Sequence, residues 1–200
     1  MKTLIATTVL AVAGCAVPFS HIGNSYDQAV RIDTSRGHGS GVIVAQGVLT
    51  AAHVIDGHDS YTVVGDGWEV TGTEITLIGD SGTATDWALL KVDTGIPPSP
   101  VYCGELQLGQ PVVHVGNPGI DRTFIRVATW GRVSSLNIGD THRMFNDTVG
   151  LDISADGGSS GGPVYDDQGR VVGLLAGIGR HSYGAMHSTL MVRLPEEVCT

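Results

Sequence analysis

Asp156-Gly157-Gly158-Ser159-Ser160-Gly161-Gly162-Pro163-Val164-Tyr165 decides the reading of this 200-residue chain. It sets a serine in a glycine-rich turn that neither a helix nor an ordinary strand accommodates, just ahead of an apolar strand. Glycine lets successive backbone N–H groups turn toward a common point, and Pro163 stops the turn from continuing as a helix. A hydroxyl beside converging amides supplies what acyl transfer requires: a nucleophile and a place for the developing oxyanion. Two upstream segments add to it. In Gly47-Val48-Leu49-Thr50-Ala51-Ala52-His53-Val54 a short apolar strand runs into small residues and then a histidine, which suits an imidazole held at a crowded interface. In Thr85-Asp86-Trp87-Ala88-Leu89-Leu90-Lys91-Val92 an aspartate stands at the mouth of a buried strand. Taken singly, these are a packed histidine, a strand cap and a turn serine. Their joint occurrence, in the order His, Asp, Ser, points to chemistry.

Composition narrows the fold. With 29 glycines, 16% charged residues and no long helical periodicity, an all-β chain with many turns is expected. Strand-like runs fall at residues 29–32, 41–45, 48–50, 61–64, 68–70, 74–78 and 87–92. A second set falls at 112–115, 124–133, 148–153, 163–165, 171–176 and 187–192. Between the sets, Thr94-Gly95-Ile96-Pro97-Pro98-Ser99-Pro100 suits neither a helix nor a central strand. Asp166-Asp167-Gln168-Gly169 reads as a tight hairpin turn. The formal charge of −9 argues against a nucleic-acid partner, which wants a basic face. The histidines at 21, 38, 58, 114, 142, 181 and 187 lack metal-ligand spacing, so neither metal nor cofactor is expected.

Thr50-Ala51-Ala52-His53, Asp86-Trp87-Ala88-Leu89-Leu90 and Gly158-Ser159-Ser160-Gly161-Gly162-Pro163 together resemble the signatures T-A-A-H, D-x-A-L-L and G-x-S-G-G-P of chymotrypsin-like (trypsin-fold) serine peptidases. The spacing is similar to that of compact bacterial envelope peptidases of the high-temperature-requirement type, and the likeness runs from about residue 37 to 192. It implies two antiparallel six-stranded-type β-barrels with the active site in the cleft between them. The N-terminal barrel is expected at 28–95, an inter-barrel linker at 96–110 and the C-terminal barrel at 111–200. The chain's end soon after the last strand leads us to expect no C-terminal regulatory domain.

The resemblance implies a serine endopeptidase acting on proteins or peptides through an acyl-enzyme. Ser160 is the expected nucleophile and His53 the general base and acid, since imidazole titrates near pH 6.5. Asp86 is expected to orient the ring, with the amides of Gly158 and Ser160 as the oxyanion hole. Ser154, Ala176, Gly177 and Ile178 fall where the family has its substrate pocket. Uncharged Ser154 does not support a demand for Arg or Lys, and Ile178 favours small or medium apolar side chains. Many members carry aspartate before the serine, where a freshly cut N-terminus pairs with it. Ser159 cannot make that ion pair, so a site formed without such activation is expected.

Two other functions compete. Gly158-Ser159-Ser160-Gly161-Gly162 also fits the G-x-S-x-G elbow of α/β-hydrolase esterases. That fold needs a helix after the serine, which Gly161-Gly162-Pro163 opposes. A catalytically inactive surface binding protein on the same fold is the other alternative.

The N-terminus reads as a leader. Met1-Lys2 precedes an apolar run too short to span a bilayer, which fits a signal peptide at 1–14. Val12-Ala13-Gly14-Cys15 resembles a lipoprotein cleavage box, with Cys15 as the lipidated residue, 15–27 as a tether and the cell envelope as destination. Ordinary secretion or periplasmic release is the alternative. Cys103 and Cys199 then remain as a possible disulfide, which some family members place between linker and C-terminus. Two unpaired thiols also fit the sequence.

Overall fold

The computed structural model describes residues 26–119, 123–138, 147–180 and 187–200. The expected leader, Cys15 and most of the tether lie outside the described residues, as do His21, His142 and His181. The first half contains β1 (Ala29–Asp33), β2 (His38–Val44), β3 (Gly47–Thr50), a one-turn helix α1 (Ala52–Ile55), β4 (Tyr61–Gly65), β5 (Trp68–Gly72), β6 (Ile75–Ile78) and β7 (Ala88–Leu90). These strands pair antiparallel in the order β5-β4-β1-β2-β3-β7-β6, a seven-stranded sheet curled into a half-barrel. The second half contains β8 (Pro111–Gly116), β9 (Val127–Ile138), β10 (Thr148–Leu151), β11 (Pro163–Tyr165), β12 (Val171–Arg180) and β13 (His187–Arg193). They close into a barrel in the order β10-β13-β12-β11-β8-β9.

Each expected run contains a strand, though residues 91–92, 124–126 and 152–153 fall outside theirs, and the all-β two-barrel architecture holds. The first unit differs in detail: it has seven strands and stays open between β5 and β6. Those two edges alternate half-buried with exposed residues, as strands covered on one face do.

The central strands read as continuous apolar runs because both their faces are covered. Side chains alternate across a strand. Ile43, Val48 and Leu90 therefore enter the core of the first unit with Ile32, Ile55 and Val63. Their neighbours Val42, Leu49 and Leu89 turn the other way, into a cluster with Val113, Val115, Tyr165 and Leu174 of the second unit. Leu175, next to Leu174, joins Val112, Val133, Leu151 and Met191 inside the closed barrel. Three cores are thus built from two sheets, and the middle one is the interface.

Between β7 and β8 the chain runs as an irregular strap. Pro97, Pro98 and Pro100 keep it out of a ladder. It is tied to both units instead: Ser99 N–H donates to Ile43 O (2.9 Å) and Val171 N–H to Pro100 O (2.8 Å). The strap ends near Cys103, which is disulfide-bonded to Cys199 with Cα atoms 5.8 Å apart across 96 residues of sequence. The expected hairpin turn is present: Asp166 Oδ1 accepts the N–H groups of Gln168 and Arg170, both at 2.9 Å.

His114, on β8, is 2% exposed. Its Nδ1–H donates to Pro163 O at 3.1 Å, leaving Nε2 as a lone-pair acceptor. Burial pushes its pKa down from the ordinary 6.5 to about 4, because the charged ring would lose its water.

Two outcomes follow. Between pH 6.5 and 4 the unfolded chain takes up a proton that folded His114 refuses, so stability falls as pH drops through that window and is unaffected by this group above it. The loss reaches on the order of 3 kcal/mol at most. Urea denaturation at several pH values measures it, and His114→Leu should flatten that part of the profile. Replacing both Cys103 and Cys199 by alanine should lower the unfolding free energy by about 2–5 kcal/mol through the freed unfolded loop. Equal urea midpoints for native and double-variant proteins would refute this.

Candidate active site

β3 ends at Thr50, and the buried alanines Ala51 and Ala52 let α1 turn tightly against the core. This carries His53 to the sheet's edge, with its side chain 36% exposed. Asp86 precedes β7 in a turn closed by Asp86 N–H to Thr83 O (3.2 Å), and its side chain is fully buried. The two residues meet twice. His53 Nδ1–H donates to Asp86 Oδ2 at 2.6 Å, and His53 backbone N–H donates to Oδ1 at 2.9 Å. A proton on Nδ1 leaves Nε2 as the basic nitrogen, facing away from the carboxylate.

Ser160 comes from the turn between β10 and β11. Gly158 (φ 91°) and Gly161 (φ 82°) hold left-handed conformations there that side chains rarely adopt. A Cβ on Gly158 would also lie 2.5 Å from Asn117 O, and one on Gly161 would collide with Ser40 O and Thr50 Oγ1. The glycines therefore let the turn press against β2, β3 and the end of β8. His53, Gly158 and Ser160 line one cleft of about 220 Å³ with Arg36, His38 and His58. Ser160 Oγ and His53 Nε2 share that cleft without a hydrogen bond between them, as is common before substrate binds.

The peptide groups of the turn follow a pattern. Ser159 N–H bonds Asp156 O (3.0 Å), Gly161 N–H bonds Leu175 O (2.7 Å) and Gly162 N–H bonds Ser159 O (3.0 Å). Gly157 N–H bonds Asp156 Oδ1 at 2.7 Å. The N–H groups of Gly158 and Ser160 have no acceptor among the described residues. They are the pair expected to face an oxyanion.

The expected pocket residues are not gathered in one cavity. Ser154 lines a recess of about 300 Å³ with Ala155, Asp156, Ser159, His114 and Thr129. Ala176 is buried in the interface cluster, and Ile178 is 58% exposed on β12. Gly177, between them, is half-buried beside a bulge in β12. Among the described residues no group of three or more His, Cys, Asp or Glu side chains is placed to hold a metal ion.

Reading the sequence alone missed Ser40, His38 and Asn117, which contact the nucleophile turn. The signal was the Gly39-Ser40-Gly41 triplet, in which a buried serine is flanked by residues without side chains.

Comparison with known proteins agrees with this geometry. Residues 39–174 match a family described as the trypsin-like peptidase domain. The chain is 32% identical over 157 residues to a probable periplasmic serine endoprotease, DegP-like, of Halomonas elongata, covering 76% of this chain and 31% of that protein. It is 31% identical over 159 residues to the serine protease Do-like HtrA of Bacillus subtilis, covering 71% and 34%. The chain thus spans about a third of the length of these curated relatives. Among solved structures, the inactive form of the Rv3671c protease of M. tuberculosis superposes with a TM-score of 0.69 at 24% identity, covering 88% of each chain. The HtrA-type protease AlgW with a tripeptide superposes with a TM-score of 0.67 at 24% identity, covering 84% of this chain and 56% of that one. These two likenesses bear on the fold. By its sequence match over residues 39–174, this chain belongs to the family of trypsin-like peptidase domains.

Proposed function

We propose that the chain is a serine endopeptidase that cleaves peptide bonds through Ser160, His53 and Asp86. The observation that carries this is the double hydrogen bond from His53 to buried Asp86, with the free Nε2 in the same cleft as Ser160. In this reading Ser160 Oγ attacks the scissile carbonyl carbon while His53 Nε2 takes its proton. Asp86 holds the ring in the required tautomer and stabilises the imidazolium that forms. The carbonyl oxygen, now negative, receives hydrogen bonds from Gly158 and Ser160 N–H. The C–N bond then breaks, and the leaving amine departs with the proton from Nε2. Water repeats the sequence on the acyl-enzyme, releasing the acid and restoring the Ser160 hydroxyl.

The substrate class is protein or peptide, supported by relatives named as endoproteases and by a neighbour solved with a tripeptide. For the residue before the cut, uncharged Ser154 in a recess with Pro118, Val127 and Ala155 supports small or medium apolar side chains. The leader-like N-terminus and relatives named periplasmic support export to the cell envelope. The Val12-Ala13-Gly14-Cys15 box supports anchorage through lipidated Cys15.

A fluorophosphonate probe tests the chemistry. The folded protein should be labelled and Ser160→Ala should not be, while peptide hydrolysis falls by roughly 10⁴-fold or more. A folded protein with an accessible cleft that stays unlabelled would favour a binding role instead. Mapping of cleavage ends tests specificity, and a profile dominated by Lys, Arg or Glu before the cut would overturn the apolar preference.

A further inference from the structure

We propose that Ser40 is a positioning residue that braces the peptide following Gly158, and through it the backbone conformation that presents the Gly158 N–H to the oxyanion; this rests on the endopeptidase reading above. Ser40 lies on β2 of the first unit, 0% exposed. All three of its polar groups are engaged, and two of them act on the nucleophile turn. Its Oγ–H donates to Gly158 O at 2.7 Å, and its N–H donates to Ser160 O at 2.7 Å. Its own carbonyl accepts the Thr50 hydroxyl at 2.6 Å. Asn117 N–H donates to Ser40 Oγ at 2.8 Å, which leaves the hydroxyl proton to point at Gly158. His38 Nε2 lies 3.2 Å from Asn117 O, on the peptide that follows.

The consequence comes from peptide planarity: fixing an oxygen fixes the N–H on the opposite side of the same plane. Gly157 O is held by Gly119 N–H (3.0 Å), which turns Gly158 N–H the other way, toward the cleft. Gly158 O is held by Ser40 Oγ, so the planes on both sides of Gly158 are pinned and its φ of 91° is locked between them. Ser159 O is held by Gly162 N–H (3.0 Å), which aims Ser160 N–H alongside. Ser160 O is held by Ser40 N–H. Four consecutive carbonyl oxygens are therefore engaged, two of them by Ser40, and the two unpartnered N–H groups are those that oxyanion binding uses. Glycine has no Cβ to restrict its own rotation, so without the hydroxyl the plane after Gly158 keeps only the bond from Ser159 N–H to Asp156 O, which lies within the turn itself.

The test compares kcat and KM for a fluorogenic peptide, and affinity for a peptidyl boronate whose tetrahedral adduct places an oxygen in the same site. With Ser40→Ala, kcat should fall about 10–100-fold, less than complete loss of a donor, while KM stays within about twofold. Boronate affinity should fall by the same factor as kcat, whereas affinity for the product peptide should not. Ser40→Thr, which keeps the hydroxyl, should recover most of the loss. Unchanged kcat in Ser40→Ala, or a fall that Ser40→Thr fails to rescue, would overturn the proposal. Should Ser40→Ala not fold, Ser40→Cys replaces it, its thiol being a weak donor, and kcat should rank Ser, Thr, Cys. Equal kcat across that series overturns the proposal too. A wild-type protein that neither hydrolyses peptides nor takes the fluorophosphonate removes the endopeptidase reading and this one with it. An active wild type with an equally active Ser40→Ala removes only this one.

Discussion

Both oxygens of one wholly buried carboxylate are taken by the same residue. A carboxylate out of water needs donors, and Asp86 receives one from the backbone of His53 and one from its ring. The backbone bond sets where the start of α1 lies against β7, and the ring bond sets the orientation and tautomer of the imidazole. Strand register makes the meeting possible. β3 and β7 run antiparallel with Thr50 opposite Ala88, so the residues just after β3 lie beside those just before β7. His53 and Asp86 sit on those two extensions. A shift of one residue in this pairing would move every side chain to the opposite face and separate them.

The nucleophile reaches this pair from the other unit, so its placement depends on the interface. That interface is well determined because β2, β3, β7, β11 and β12 have no solvent face at their centres: one set of side chains fills its own unit and the alternate set fills the space between. Interiors packed to this degree tolerate little sliding. The strap through Ser99 and Pro100 joins the two units again on another side, and the bond between Cys103 and Cys199 ties the end of the strap to the C-terminus. Ser40 adds a polar contact at the point where rigidity bears on the chemistry.

What was legible in the sequence follows from the range of each interaction. Strands and the Asp166–Gly169 turn were readable because their determinants are local: apolar runs, glycine, proline and an aspartate carboxylate at fixed offsets. The proposed catalytic trio could be singled out because each member carries its own flanking pattern. Whether the first sheet closes was not readable, since that depends on how β5 and β6 approach after six other pairings have set the curl. Ser40 was silent for a related reason: its partners Asn117 and Gly158 are 77 and 118 residues away, and the one local trace is a pair of flanking glycines. Ser154 and Ile178 were placed by counting from Ser160. The bulge between Leu175 and Gly177 means that even spacing along β12 does not translate into even spacing in space.

The polar groups the fold leaves unpaired also carry information. Folded proteins satisfy buried donors and acceptors almost everywhere, and exceptions concentrate where something else must be bound. In the turn that carries Ser160 the exceptions share one sign: every carbonyl oxygen from Gly157 to Ser160 has a donor, while two N–H groups have no acceptor among the described residues. Such an arrangement leaves N–H donors, and not carbonyl oxygens, available in the turn. A neutral carbonyl gains modestly from it, and a negatively charged oxygen gains more, because hydrogen bonds to charged acceptors are about twice as strong. On the proposed function, the turn is matched to a charge that exists only part-way through the reaction, which is the condition for accelerating a step beyond merely binding its substrate.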